Sequence, residues 1–408
     1  MRKIAVVATL DTKGPEAAFL RDCIQDTGHQ TLVVDTGMLF DPLFEADISR
    51  SNVLAAIGIG NIEELRREGK SALTKVMTDA LVTTLTRLYA ENKISGVISL
   101  GGAQGTAVST AAMRMLPIGF PKVMVSTIAC GRTPFGPYVG TRDITMIHSV
   151  ADVCGLNSVT IPVFSNAAGA VVGMVEAAER TKHEAGRFVT ALTMAGVTTA
   201  CVMSVKEQLD NLGMETIVFH CNGVGSVVID EMAREGRLDG VIDITPHEVT
   251  DLLYDGEQKG DENRFSNVYK SGIPVLMIPG GMDVILQGPI ESVRQDLADR
   301  VAFQHTLFHT HIRTTREEMY NVGSYTAERL NGCGDKALVM IPLKGFSQQN
   351  AEGKPLYDED ANMGFVQAMR ETLTPQVRCI EKNMHINDPA FADEIVRAFL
   401  PHSGYSGS

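Results

Sequence analysis

The sequence predicts an α/β protein made of two doubly wound domains with mostly parallel sheets, and three observations carry that prediction. Short apolar runs alternate with longer amphipathic ones along the whole chain. The apolar runs are nearly continuous, as in strands covered by helices on both faces. At 408 residues the chain also exceeds one ordinary core, and the pattern starts afresh near its middle.

Taken in order, the strands of the first half are Ile4–Leu10, Thr31–Val34, Gly96–Leu100 and Lys122–Ile128. Amphipathic spacing predicts helices over Glu16–Thr27, Leu65–Glu91 and Ala167–Thr181. Strands resume at Arg187–Met194, Glu215–His220, Gly240–Thr245, Pro274–Ile278 and Ala337–Leu343. Helices are predicted between them over Thr199–Leu212, Gly225–Arg234, Ser292–Ala302 and Asn362–Leu373. The polar stretch Thr181-Lys-His-Glu-Ala-Gly-Arg187 reads as the boundary, giving domains 1–183 and 184–408, the second with carboxyl-terminal helices.

Composition narrows the function. Hydrophobic residues at 44% and charged residues at 21% describe an ordinary globular protein with ample core. The net charge of −13, with no run of Lys and Arg, argues against a nucleic-acid partner. The amino-terminal apolar run stops at Asp11 and reads as a buried strand rather than a signal peptide. No stretch approaches the roughly 18 apolar residues of a membrane span, so no membrane role is predicted. Seven scattered cysteines without Cys-x-x-Cys spacing suggest neither a disulfide framework nor a zinc knuckle, and point to a reducing cytoplasm.

Three strand-to-helix turns are the chemical signal. The sharpest runs from the strand Gly96-Val-Ile-Ser-Leu100 into Gly101-Gly102-Ala-Gln104-Gly105-Thr106, which opens a helix. Glycine permits positive φ and close approach of a ligand to the main chain, and a first helical turn offers free amides to an anion. Neither the Walker pattern nor the dinucleotide fingerprint is present. The second turn is Thr9-Leu-Asp11-Thr12-Lys13-Gly14, and the third is Asn222-Gly223-Val-Gly225-Ser226. Asp11 and Thr12 suit a ligand or its magnesium, and Lys13 suits phosphate, although a helix cap explains the same residues. Together the turns argue for a phosphorylated or carboxylated ligand at the carboxyl edge of each sheet, in an interdomain cleft.

Further polar groups end later strands. Glu248 follows the strand at Gly240, and Asp283 ends Pro279-Gly-Gly-Met-Asp283. The segment Phe303-Gln-His305-Thr-Leu-Phe-His309-Thr-His311-Ile-Arg313 holds the most metal-like cluster. On a helix His305 and His309 would share one face, with Asp283 or Glu248 completing a site. Anion contact is the competing reading, favoured by Arg313 and Arg316.

The ordered set Thr9–Gly14, Gly101–Thr106, Asp143–Asp152, Ala195–Thr199, Pro279–Asp283 and Ile341–Ser347 resembles one family over essentially the whole chain. It is uncharacterised protein family 0261, which includes the ATP-binding amino-terminal region of the tomato mosaic virus resistance protein. The resemblance implies two Rossmann-like domains, ATP with Mg²⁺ in the first, and a homodimer. It implies nucleotide contacts at Asp11, Thr12, Lys13, Gly14, Gly101, Gly102, Gln104, Gly105 and Thr106, with Thr127 and Asp143 at later strand ends.

The reading that follows is a cytoplasmic Mg-nucleotide-binding protein, as an ATP-using enzyme on a small carboxylate or sugar acid. Asn222, Gly223, Gly225, Glu248, Asp283, His309 and Arg313 would hold that second ligand. The rivals are a metal-dependent hydrolase or lyase of a small oxo-acid, centred on His305 and His309, and a non-catalytic, nucleotide-gated interaction module.

Overall fold

A computed structural model describes residues 3–60, 69–130, 136–181 and 186–406. The start of the helix expected at Leu65 and most of the boundary stretch after Thr181 lie outside them. The chain divides into two compact units, Met1–His183 and Glu184–Ser408.

In the first unit, strands β1 (Lys3–Ala8), β2 (Thr31–Asp35), β3 (Ile94–Gly101), β4 (Lys122–Ser126) and β5 (Thr145–His148) form one sheet in the order β2-β1-β3-β4-β5. Every neighbouring pair is parallel. The side-chain alternation of a strand divides each apolar run between two cores. Ile4, Val6, Ile98, Leu100, Val123 and Val125 face the helices Leu10–Gln25 and Thr160–Arg180. Ala5, Val7, Val97 and Met124 face Lys70–Ala90 and Ala103–Arg114. Burial on both faces is why the strands read as unbroken apolar runs.

The second unit repeats the plan. Its strands are β6 (Val189–Met194), β7 (Glu215–His220), β8 (Gly240–Asp243), β9 (Val275–Met277), β10 (Val284–Gln287), β11 (Ala302–Gln304), β12 (Thr310–Arg313), β13 (Ala337–Pro342) and β14 (Arg378–Lys382). Six of them form a parallel sheet in the order β14-β13-β9-β8-β6-β7. Helices Thr199–Asn211 and Pro389–Ser403 cover one face. Helices Arg316–Asn331 and Glu359–Thr372 cover the other. That last pair crosses closely because Gly323 and Gly364 lack a Cβ: one on Gly323 would lie 2.7 Å from the Ala368 Cβ, and one on Gly364 2.3 Å from the Arg316 carbonyl. The three remaining strands form a small antiparallel sheet, β10-β12-β11.

Several sequence expectations need correction. The first helix starts at Leu10, directly after the strand, so Gly14 and Pro15 lie inside it. Ser292–Ala302 is not a helix; two single 3₁₀ turns, Ile290–Ser292 and Gln295–Leu297, occupy that region. His305 and His309 lie in the turn between β11 and β12, where the His305 and Thr306 amides both donate to the His309 carbonyl. Arg313-Thr-Thr-Arg316 enters a helix through a capping box, in which Thr315 and Glu318 satisfy each other's amides. Among the described residues one helix, Thr160–Arg180, is long and apolar enough to cross a membrane, with a mean hydropathy of 1.4 over an 18-residue window. Its stripe Phe164, Ala167, Ala168, Val171 and Val175 is packed into the first unit's core.

Candidate functional site

The order β2-β1-β3-β4-β5 reverses direction between β1 and β3, and ligands of such sheets bind where the strand ends diverge. A cavity of about 610 Å³ lies there, lined by Thr9, Asp11, Thr12 and Lys13 after β1, and by Gly102, Ala103, Gln104 and Gly105 after β3. Met38 and Leu39 after β2, and Lys70 and Leu73 of the covering helix, complete it. The size falls within the range of small-molecule sites.

The β3 turn works as a helix N-terminus. Gly102 is the N-cap residue and supplies no side-chain cap. The Thr106 amide is the first to bond back, to the Gly102 carbonyl. The amides of Ala103, Gln104 and Gly105 therefore have no acceptor among the described residues, and the helix dipole adds partial positive charge there. Gly102 has φ −79°, and neither it nor Gly101, Gly105 or Gly14 takes positive φ. These glycines serve close approach rather than left-handed geometry: a Cβ on Gly101 would lie 3.3 Å from the Gly105 Cα.

The polar residues after β1 have partners that the sequence hides. Asp11 Oδ2 accepts the amides of Met38, Leu39 and Phe40 at 2.9, 2.7 and 3.2 Å, which fixes the loop after β2 as one cavity wall. Its Oδ1 is buried without a partner among the described residues. Asp35 lies beside it, its Oδ1 accepting from Leu10 and Gly37. Burial pushes the Asp35 carboxyl above its usual range, and the Asp11 charge adds to that. A Cβ on Gly37 would sit 2.9 Å from both carboxyl groups, so only glycine fits there. Thr12 bonds Thr9 at 3.0 Å through the two hydroxyls. Lys13 Nζ donates to the Val153 carbonyl while lining the cavity. Gln104 Nε2 donates to Thr74 Oγ1 at 2.7 Å and ties the turn to the covering helix.

Five of the nucleotide residues expected from sequence do not line the cavity. Gly14 is packed under Leu43, whose Cβ a Gly14 Cβ would approach to 2.7 Å. Gly101 ends β3 beneath the turn, and Thr106 is buried with its hydroxyl on Ser126 at 2.6 Å. Thr127 follows β4 and donates its amide to the Gly101 carbonyl. Asp143 precedes β5 and pairs with the buried Lys122 at the start of β4, 2.8 Å away. It stands at the amino-terminal edge of the sheet, opposite the cavity.

In the second unit a pocket of about 230 Å³ lies beyond the carboxyl ends of β6, β7 and β8. Histidines dominate its wall: His220, His247, His305, His309 and His311. His305 stacks on His311 with ring centres 4.7 Å apart, and His309 Nδ1 meets Thr306 Oγ1 at 3.1 Å. Burial first, then the neighbouring imidazoles, hold His311 down to about 3, so it is neutral at pH 7. His305 and His309 thus share a pocket without sharing a helix face. Among the described residues no group of three or more His, Cys, Asp or Glu is placed to hold a metal ion.

The remaining second-ligand residues form buried supports instead. Glu248 accepts the Gly223 amide at 2.7 Å through one oxygen and Arg264 Nε at 3.0 Å through the other. Arg264 also grips Asp243 with both terminal nitrogens, at 2.7 and 2.8 Å. Burial opposes the Arg264 charge, but the carboxylates outweigh it and raise its pKa further. Asp283 Oδ2 accepts Ser347 and Asn350, and its carbonyl accepts Arg313, which in turn holds Asn362. Gly223 needs its φ of +86°, and a Cβ on Gly225 would lie 2.2 Å from the His220 carbonyl. Asn222 is exposed and, like Gly223 and Gly225, lines neither cavity.

Models of two domains match this chain: the N-terminal domain of uncharacterised protein family UPF0261 over residues 2–180, and its C-terminal domain over 187–402. The chain belongs to UPF0261. A UPF0261 protein of Clostridium tetani is 38% identical across 98% of each chain. The tomato ToMV susceptible protein tm-1(GCR26) is 33% identical across 99% of this chain and 56% of its own. The ToMV resistance protein Tm-1(GCR237) is 33% identical across 98% and 55%. The chain thus spans about half the length of these tomato relatives. Among solved structures, a UDP-GlcNAc 2-epimerase of Methanocaldococcus jannaschii aligns over 98% of this chain and all of its own, at 10% identity and a TM-score of 0.23. That likeness is too slight to bear on function.

Proposed function

We propose that this UPF0261 protein binds a Mg-nucleotide, ATP by the family resemblance, in the first-unit cavity, and uses it on a small carboxylate or sugar acid. The observation that carries the reading is the row of unpartnered amides at Ala103, Gln104 and Gly105, at the point where the sheet order reverses. They suit phosphate oxygens, as helix N-termini do. Lys13 and Lys70 add positive charge in an otherwise acidic chain, and Met38, Leu39 and Leu73 supply apolar wall for a base.

Magnesium fits through one atom. Asp11 lines the cavity and its buried Oδ1 has no partner among the described residues, and Mg²⁺ takes one or two carboxylates with phosphate oxygens and water. Bound there, the ion would neutralise phosphate charge. With Asp11 Oδ2 committed to three amides and Oδ1 given to the ion, no other carboxylate among the described lining residues is available as a general base, which favours the gated-binding module as the second reading. The proposal includes a cytoplasmic homodimer.

The test is calorimetry on metal-stripped protein titrated with ATP in the presence and absence of Mg²⁺, followed by a phosphate-release assay. Saturable, magnesium-dependent binding supports the reading, and no binding refutes it. Binding with turnover at background leaves the module.

A further inference from the structure

The second-unit pocket is built for a ligand of its own. Ala195, Gly196 and Val197, at the 3₁₀ turn Gly196–Thr198 that precedes the helix Thr199–Asn211, line this pocket. The Gly196 and Val197 amides have no acceptor among the described residues. An independent observation names the rest of the ligand. His247 is 5% exposed; its Nε2 meets Gln258 Oε1 at 2.9 Å, and its Nδ1 is buried without a partner. Because an amide oxygen only accepts, Nε2 of the neutral ring carries the proton, which leaves Nδ1 as an unused acceptor on a residue that lines the pocket. His311, 6% exposed, also has a buried, unpartnered Nδ1 there. Leaving such atoms unsatisfied is costly, so both call for ligand hydrogen bonds.

The remaining wall limits the ligand's size and charge. Among the described residues no lysine, arginine, aspartate or glutamate lines the pocket, and Val197, Val284 and Leu286 make part of it apolar. With no lysine or arginine among the described lining residues, a single carboxylate on two backbone amides suits the pocket better than a doubly charged phosphate. The 230 Å³ volume admits only a compact molecule.

We propose that this pocket binds a small hydroxy acid of the glycerate type, with its carboxylate on the Gly196 and Val197 amides and its hydroxyl donating to His247 Nδ1. The proposal deepens the small-acid part of the function above and rests on it for its role in turnover. The site itself needs no nucleotide.

The test is a calorimetric titration of the full chain, without ATP, using D- and L-glycerate with propionate as the deoxy control. One glycerate enantiomer is expected to saturate the protein at least tenfold more tightly than propionate. His247→Gln keeps an amide nitrogen near Gln258 but removes the Nδ1 acceptor, so it should erase that preference. Because a substitution at this buried position can unfold the protein, histidine ¹⁵N spectra of the wild type provide a second readout. Glycerate should shift His247 Nδ1, and propionate should not. Equal binding of both acids, binding of neither, or stoichiometric Zn²⁺ binding that displaces glycerate overturns the proposal. Loss of ATP binding alone would leave these titrations unchanged, so the two failures are distinguishable.

Discussion

Gly105→Val separates the proposed phosphate turn from the fold. Gly105 lies in the first turn of a helix at negative φ, and a Cβ there meets only the Leu100 carbonyl, at the ordinary distance of 3.8 Å. Valine also has a slightly better helix propensity than glycine, by about 0.3 kcal/mol. The urea midpoint should therefore hold or rise slightly. Binding should respond differently, because Gly105 lines the cavity and carries one of the free amides, where an isopropyl group adds bulk. A hydrogen bond to a charged group contributes about 1.5–3 kcal/mol, so losing access to one or two costs roughly 3 kcal/mol. That corresponds to about a 100-fold rise in the Kd for Mg-ATP. Calorimetry and urea denaturation on the same preparations measure both. A folded variant that binds within threefold of wild type would show that the phosphate turn is elsewhere.

Three further outcomes follow from the supports. Arg264→Met strands Asp243 and Glu248 in the interior and should cost about 3–5 kcal/mol by urea denaturation, because breaking a buried ion pair leaves uncompensated charge. Asp143→Asn should leave Mg-ATP affinity within twofold in calorimetry, since Asp143 pairs with Lys122 at the opposite end of the sheet. His311 is held at about 3 when folded and titrates near 6.5 when unfolded, so acidification protonates the unfolded chain first. Its contribution is full above pH 6.5 and falls by about 3 kcal/mol toward pH 4; His311→Asn should flatten that loss in urea midpoints across the range.

The two parallel sheets were legible because burial on both faces leaves runs such as residues 4–8 and Ala337–Pro342 apolar throughout. Two edge strands were not: Thr145–His148 and Arg378–Lys382 carry polar side chains and resemble loops, whereas the edge strands Thr31–Asp35 and Glu215–His220 were read. Spacing misled at His305 and His309, where four-residue separation also fits a hairpin turn whose tip exposes Leu307 and Phe308. The glycine turn at residues 102–105, which lines the first-unit cavity, was legible because its residues are contiguous. Asp11, Glu248, Asp283 and Arg313 looked like ligand groups, but their partners lie 16 to 67 residues away and are set only by the fold. His247 was missed as a pocket residue for the same reason: Gln258 and the hairpin histidines reach it through tertiary contacts.

The most direct measurement of the central claim is amide hydrogen exchange with and without Mg-ATP. Ala103, Gln104 and Gly105 carry amides with no acceptor among the described residues, so they should exchange rapidly in the free protein. Nucleotide in the first-unit cavity should slow exchange in peptides covering residues 101–107, with smaller effects over 9–13 and 36–41. Unchanged exchange at 101–107 under saturating Mg-ATP, or protection confined to the second unit, would contradict the account.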